Sequence, residues 1–236
     1  MSPDATVLEV ATVRVTEEQS DDFDAIWEEI DEQFLPIDVR RSMAANGFRV
    51  GLSGAQLPDF LRQSLDGDAT STEQNLYARQ KRLQSRNGRR SVIMVDAQPR
   101  SHVAVLFNEG GGVTGETYHN ARCLFGVKTF AANDGRVRLE LTPEVQHGQP
   151  RTTWTGQDGA FRLNTEQASK TFDNFRMTAT LSPGQTLLLT CTPDFLGLGH
   201  QFFGSDERDV RQRLLLIRIA QTQLDDLFSP EFLAED

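Results

Sequence analysis

The chain has 236 residues, 38% apolar and 25% charged, a composition that excludes a disordered segment and fits a globular protein. Its formal charge of -10 excludes a general nucleic-acid binder, which needs a basic face to displace counterions from phosphates. No apolar run has the length of a membrane-spanning helix.

Residues 6–15 read as a strand. Val7, Glu9, Ala11, Val13 and Val15 face one way, and Leu8, Val10, Thr12 and Arg14 the other. Neither side is cleanly polar, so the strand belongs inside a sheet. The acidic, cap-rich run 16–22 starts a helix, and Phe23, Ile26, Trp27, Ile30 and Phe34 form its apolar stripe. Pro36 opens a second short helix with Val39, Arg40 and Met43, closed by Asn46-Gly47. Phe48–Leu52 returns as a strand. Leu57-Pro58-Asp59 starts a third helix, with Phe60, Leu61 and Leu65 turned inward. Residues 1–66 are therefore expected to form a small α/β lobe, standing alone or packed on one edge of a later sheet.

Residues 67–90 are poor in core residues and read as a polar, basic linker or arm, partly helical. Charge is unevenly spread: residues 1–78 carry -11, and residues 79–102 carry +6. The basic stretch is suited to pair with the acidic half, with a partner, or peripherally with lipid headgroups.

From Ser91 the pattern turns to β. Ser91–Val95 and Val103–Phe107 are short strands, and residues 108–112 form a glycine-rich turn. The run 110–115 lacks the Lys-Ser/Thr ending and the following apolar helix of a phosphate cradle. Ala121–Phe130 and Arg136–Val145 form a hairpin about Asn133-Asp134-Gly135. Residues 147–150 break the second strand, residues 151–170 show no clear pattern, and Phe172–Leu181 alternates again. Two apolar runs follow, Thr186–Cys191 and Leu214–Ile219, the second interrupted only by Arg218. Such runs mark strands covered on both faces, here neighbours at the centre of the core. The loop between them, residues 197–204, plugs the core end with Phe202 and Phe203. In its functional reading it is a partner-contact loop presenting His200, Phe202 and Phe203. The acidic tail Asp225–Asp236 reads as a short docked helix.

Candidate chemistry is sparse. Cys123 and Cys191 sit in apolar runs and are expected as buried free thiols. His102, His119, His147 and His200 are scattered, and Glu144 with His147 lacks an obvious third metal ligand. No serine stands in a G-x-S-x-G elbow. No metal, cofactor or catalytic residue is assigned. The Met-Ser-Pro-Asp start lacks the basic and apolar regions of a signal peptide. That fits a cytoplasmic protein, or an exported one whose signal has been removed.

The order of the pieces resembles the core domain of bacterial secretins, ring-forming outer-membrane channels. Val7–Val13 is similar to the family's opening strand, and Asp134–Val145 to its "dG-v-L-l-peV" hairpin. Gly184-Gln185-Thr186-Leu187 is similar to its "GQTL" strand. Leu198–Asp206 with Arg213–Ile217 is similar to its "lG-lF-S…R..LLI" close. The resemblance spans about 6–15 and 91–220. Lipid-facing alternation is missing from 91–107 and 151–181, so it implies a soluble relative rather than a channel subunit. The expectation is an α+β protein: a lobe (1–66), a linker (67–90) and a mainly antiparallel β-domain (91–236). Its expected role is non-enzymatic, in the periplasm or at the outer membrane, through a protein partner or self-association. The alternative is a ligand-binding or hydrolytic domain using Glu144, His147 and His200.

Overall fold

The structure, a computed structural model, describes residues 5–66, 78–96, 98–157, 160–205 and 209–223. The expectations for 67–77 and for the tail Asp225–Asp236 fall outside those residues. The fold is α+β and mainly antiparallel β.

The strands are β1 (Ala5–Thr16), β2 (Phe48–Ser53), β3 (Ala78–Arg86), β4 (Arg90–Met94), β5 (Arg100–Glu109), β6 (Gly112–Ala131), β7 (Val137–Gln157), β8 (Ala160–Thr171), β9 (Met177–Leu181), β10 (Thr186–Cys191) and β11 (Val210–Gln223). The helices are α1 (Ser20–Ala25), α2 (Ile37–Ala45), α3 (Asp59–Asp66) and α4 (Gly197–Phe203). A first sheet runs β2-β10-β11-β1-β3. A second runs β4-β6-β7-β8, with β5 on the outer half of β6 and β9 beside the start of β7.

The two sheets face each other. Leu8 and Val10 of β1, Phe48 and Val50 of β2, Leu187 and Leu189 of β10, and Leu215 and Ile217 of β11 share one core with Cys123, Phe125, Val127, Leu139 and Leu141 of the second sheet. The other face of the first sheet turns Val13, Leu188, Leu214 and Leu216 toward Phe23, Ile26, Trp27, Ile30 and Leu61. The result is three layers, helices on sheet on sheet. It explains the unbroken apolar runs in the middle of β10 and β11, Leu187–Leu189 and Leu214–Ile217: each is covered on both sides, and every residue of β10 is buried. Each leucine so enclosed contributes about 1.5–3 kcal/mol relative to exposure.

Three expectations change. The strand-helix-helix-strand-helix order of residues 1–66 is present, but these residues are not a lobe apart. β1 pairs with β11 from Ala5↔Gln223 to Thr16↔Val210, and β2 pairs with β10, so the carboxyl-terminal strands lie between them. The expected linker contains strand β3, paired with β1 from Ala5↔Arg86 to Val13↔Ala78. Its polarity reflects its place at a sheet edge, where charge deters further pairing. The stretch Phe172–Leu181 is a short helical turn at Asp173–Phe175 followed by β9 rather than one strand.

β6 and β7 are longer than the sequence expectation, and both bend. They pair from Ala131↔Val137 to Arg122↔Gln146. Beyond that level β6 pairs with β5, while β7, already joined to β8 from Glu144↔Thr171, continues paired with β8 alone. Asn120 has φ +48° and Gly148 φ +81°. Residue Tyr118 and then Ala121 face the core, so the inward face of β6 switches parity across Asn120. The bends are tied together: Asn120 Nδ2 donates to Gly148 O at 2.8 Å, and Gln167 Nε2 donates to the same oxygen at 2.6 Å. The break expected at 147–150 is thus a kink, with a register shift between His147 and Arg151, inside a continuing strand.

Candidate functional site

The loop singled out in the sequence is helix α4, and its two phenylalanines are core residues. Phe202 and Phe203 are 0% exposed. Phe202 lies 5.4 Å from Phe48 and 5.1 Å from Phe125 between ring centroids, and Phe203 lies 6.2 Å from Phe48. They close the end of the core, so their rings offer no surface to a partner. His200 is half-buried, its ring edge-on to Phe195 at 5.8 Å. α4 approaches the β2 entry closely: Gly199 N donates to Asn46 O at 2.8 Å, and a Cβ at Gly199 would lie 1.9 Å from Gly47 O.

A buried charge network holds α4 against the strands. Asp96 is 4% exposed and accepts from Cys123 N at 2.8 Å, Arg100 Nη2 at 3.0 Å and Arg213 Nη1 at 3.3 Å. The same guanidiniums donate to carbonyls at the carboxyl-terminal end of α4, Arg100 to Gln201 O at 2.7 Å and Arg213 to Gly204 O at 2.8 Å. Both cysteines are free and buried. Burial, and then the Asp96 charge, push the Cys123 thiol up, and burial pushes Cys191 up to about 12. Neither is a nucleophile at neutral pH.

Glu144, His147 and His200 do not converge. Glu144 and His147 stand three apart on β7, so their side chains leave opposite faces. Glu144 is bound by Arg90 Nη2 at 2.6 Å and Ser169 Oγ at 3.1 Å. The His147 ring lies 4.8 Å from Tyr118. His200 is on α4. Among the described residues no group of three or more His, Cys, Asp or Glu is placed to hold a metal ion. An open depression lined by Ile30, Asp31, Glu32, Gln33 and Arg40 contains none of the three.

The best-formed surface feature is the β5–β6 hairpin. Its inner face carries Val103, Val105, Phe107 and Tyr118, all buried. Phe107 meets Phe172 and Phe175 at 5.3 and 6.4 Å. The Asn46 side chain acts as a surrogate strand neighbour: Asn108 N donates to its Oδ1 at 2.6 Å, and its Nδ2 donates to Asn108 O at 3.2 Å. Glu116 accepts from Tyr118 Oη and, at 3.4 Å, from Lys170 Nζ. The Tyr118 hydrogen bond is the main reason the Glu116 carboxyl sits below its ordinary range, and burial with Glu116 pushes the Tyr118 phenol up. The hairpin is thus fixed at base, middle and tip. Its outer face presents His102, Ala104, Leu106, Asn108, Val113, Gly115, Thr117 and His119, all exposed. Leu106 is 59% and Val113 73% exposed, among the most exposed large apolar residues described.

A second exposed feature is the basic edge β3. Arg82 and, from β11, Arg218 converge on Glu9 at 3.3 and 2.5 Å. Partial burial raises the Glu9 carboxyl, but the hydrogen bonds and charges of Arg218 and Arg82 outweigh it and hold the group below its ordinary value. The basic stretch therefore pairs in part with the acidic amino-terminal half. Among the described residues no helix is long and apolar enough to cross a membrane. No protein-family model matches the chain, and no curated protein matches it.

Proposed function

We propose that this is a non-enzymatic cell-envelope protein related to the secretin core, acting through contacts between copies of the chain at the outer face of the β5–β6 hairpin. The observation that carries the reading is that hairpin: a braced, two-stranded arm whose outer face exposes Leu106 and Val113. Apolar side chains on a fixed arm lose little conformational entropy when covered, which favours association. The kinship rests on the co-linear order of the secretin-like segments, which lie in β1, in β7, in β10, and in α4 with β11.

Light scattering and electron microscopy of the purified chain test this. The expected result is a closed multimer that Leu106→Glu with Val113→Glu disperses while leaving the circular dichroism spectrum unchanged. A strict monomer over a broad concentration range overturns it. An export signal encoded upstream supports the envelope location.

A further inference from the structure

His102 and His119 are seventeen positions apart in the chain but directly opposite each other in the β5–β6 ladder. The turn at Gly110-Gly111 sets this register. Both glycines have positive φ, 63° and 86°, the signature of a two-residue I′ hairpin flanked by the pair Glu109↔Gly112. In such a hairpin the flanking pair is hydrogen-bonded, and the pairs then alternate. Counting down from Glu109, positions 107, 105 and 103 are hydrogen-bonded pairs and face the core. Positions 108, 106, 104 and 102 are non-hydrogen-bonded pairs and face out. His102↔His119 is therefore of the closely spaced kind, with Cα atoms about 4.5 Å apart and side chains leaving the same face.

We propose that His102 and His119 form a cross-strand chelate for a borderline-soft divalent transition-metal ion, the Ni(II), Cu(II) and Zn(II) class that imidazole prefers. Metal–nitrogen bonds of about 2.1 Å place two adjacent ligand nitrogens about 3 Å apart, a span that two imidazoles rising from one close pair can meet by rotation about their side-chain bonds. Both residues are exposed, so the ion enters without desolvating a buried site. Ser101 Oγ lies 3.1 Å from His102 Nδ1. A proton on Nδ1 donated to that hydroxyl leaves the Nε2 lone pair for the metal, the outer-shell arrangement usual for ligating histidines. The remaining coordination positions are open to water or to a donor from another molecule. This site rests on register and exposure alone and does not depend on self-association.

The test is isothermal titration of the untagged chain with Ni(II) at neutral pH, with retention on immobilised Ni(II) as a second readout. The wild type is expected to bind one ion per chain. His102→Ala and His119→Ala are each expected to weaken binding by about a hundredfold, because the second imidazole then no longer acts intramolecularly. His147→Gln with His200→Gln, which removes the other two histidines, is expected to bind as the wild type does. Equal affinity in His102→Ala and wild type, or no uptake by the wild type, overturns the proposal. A chain that is monomeric yet binds Ni(II) through both histidines refutes the proposed assembly and leaves this site standing.

Discussion

Replacing Asp96 by alanine removes one buried carboxylate shared by three donors, the buried Cys123 N–H and two half-buried guanidiniums. In the native protein it is 4% exposed and takes the Cys123 N–H, Arg100 and Arg213 at 2.8, 3.0 and 3.3 Å. The Arg213 and Arg100 side chains are 13% and 25% exposed, so neither guanidinium reaches bulk water freely once its counter-charge is gone. Two like charges would then face each other at the junction of β5, β11 and α4. Breaking a buried ion pair from one side costs about 3–5 kcal/mol, chiefly through the charge left behind. With a urea dependence of about 3 kcal/mol per molar, the unfolding midpoint should fall by about 1–1.7 M. Urea titration followed by circular dichroism measures this. Asp96→Asn keeps the shape and a neutral acceptor and should fall between the two. An Asp96→Ala midpoint within about 0.3 M of wild type would show that the network does not hold α4 in place.

Other outcomes follow from the same structure. Gly199→Ala should be severely destabilising or fail to fold, since its Cβ would stand 1.9 Å from a backbone oxygen; recovery of soluble protein with a near-native melting temperature would contradict the close approach of α4 to β2. Cys123 and Cys191 should resist a thiol reagent at mildly alkaline pH in the native protein and both react in denaturant, read by mass spectrometry. Glu9→Gln should lose stability relative to wild type at neutral pH. The Glu9 carboxyl is lower in the folded state than its ordinary 4.5, so its contribution is complete above that value and disappears as pH falls through the folded-state pKa. Acid titrations of the two proteins should therefore converge at low pH, and a gap that persisted there would assign the effect to packing.

Much of this fold was legible in the chain, for physical reasons that also mark the limits. Thr186–Cys191 and Leu214–Ile219 read correctly as neighbouring central strands because cover on both faces removes alternation, and they pair from Thr186↔Arg218 to Leu189↔Leu215. The stripe Phe23, Ile26, Trp27 and Ile30 was legible because a helix layer must bury one side, but the expected single helix ends at Ala25 with a tighter turn over Ile26–Glu28, and Phe34, the fifth expected member, packs against the inter-sheet core instead. β3 was missed because an edge strand buries little, and its charges looked like those of an arm. Phe202 and Phe203 allowed two readings because sequence shows that a residue is apolar, not which way it points. The His102–His119 pair was hidden by its separation along the chain. Centring a hairpin on Gly110-Gly111 would have revealed it, but that requires knowing that the strands continue past the bend at Asn120.

The most direct test of the proposed contact surface is the rate of maleimide labelling of an introduced thiol as protein concentration rises. Val113→Cys places it on the hairpin, and Ile37→Cys places it at another exposed apolar position, 50% exposed, as control. Labelling of Val113→Cys should slow steeply with concentration while Ile37→Cys labels at a constant rate. Equal, concentration-independent rates at both positions would contradict assembly through this face.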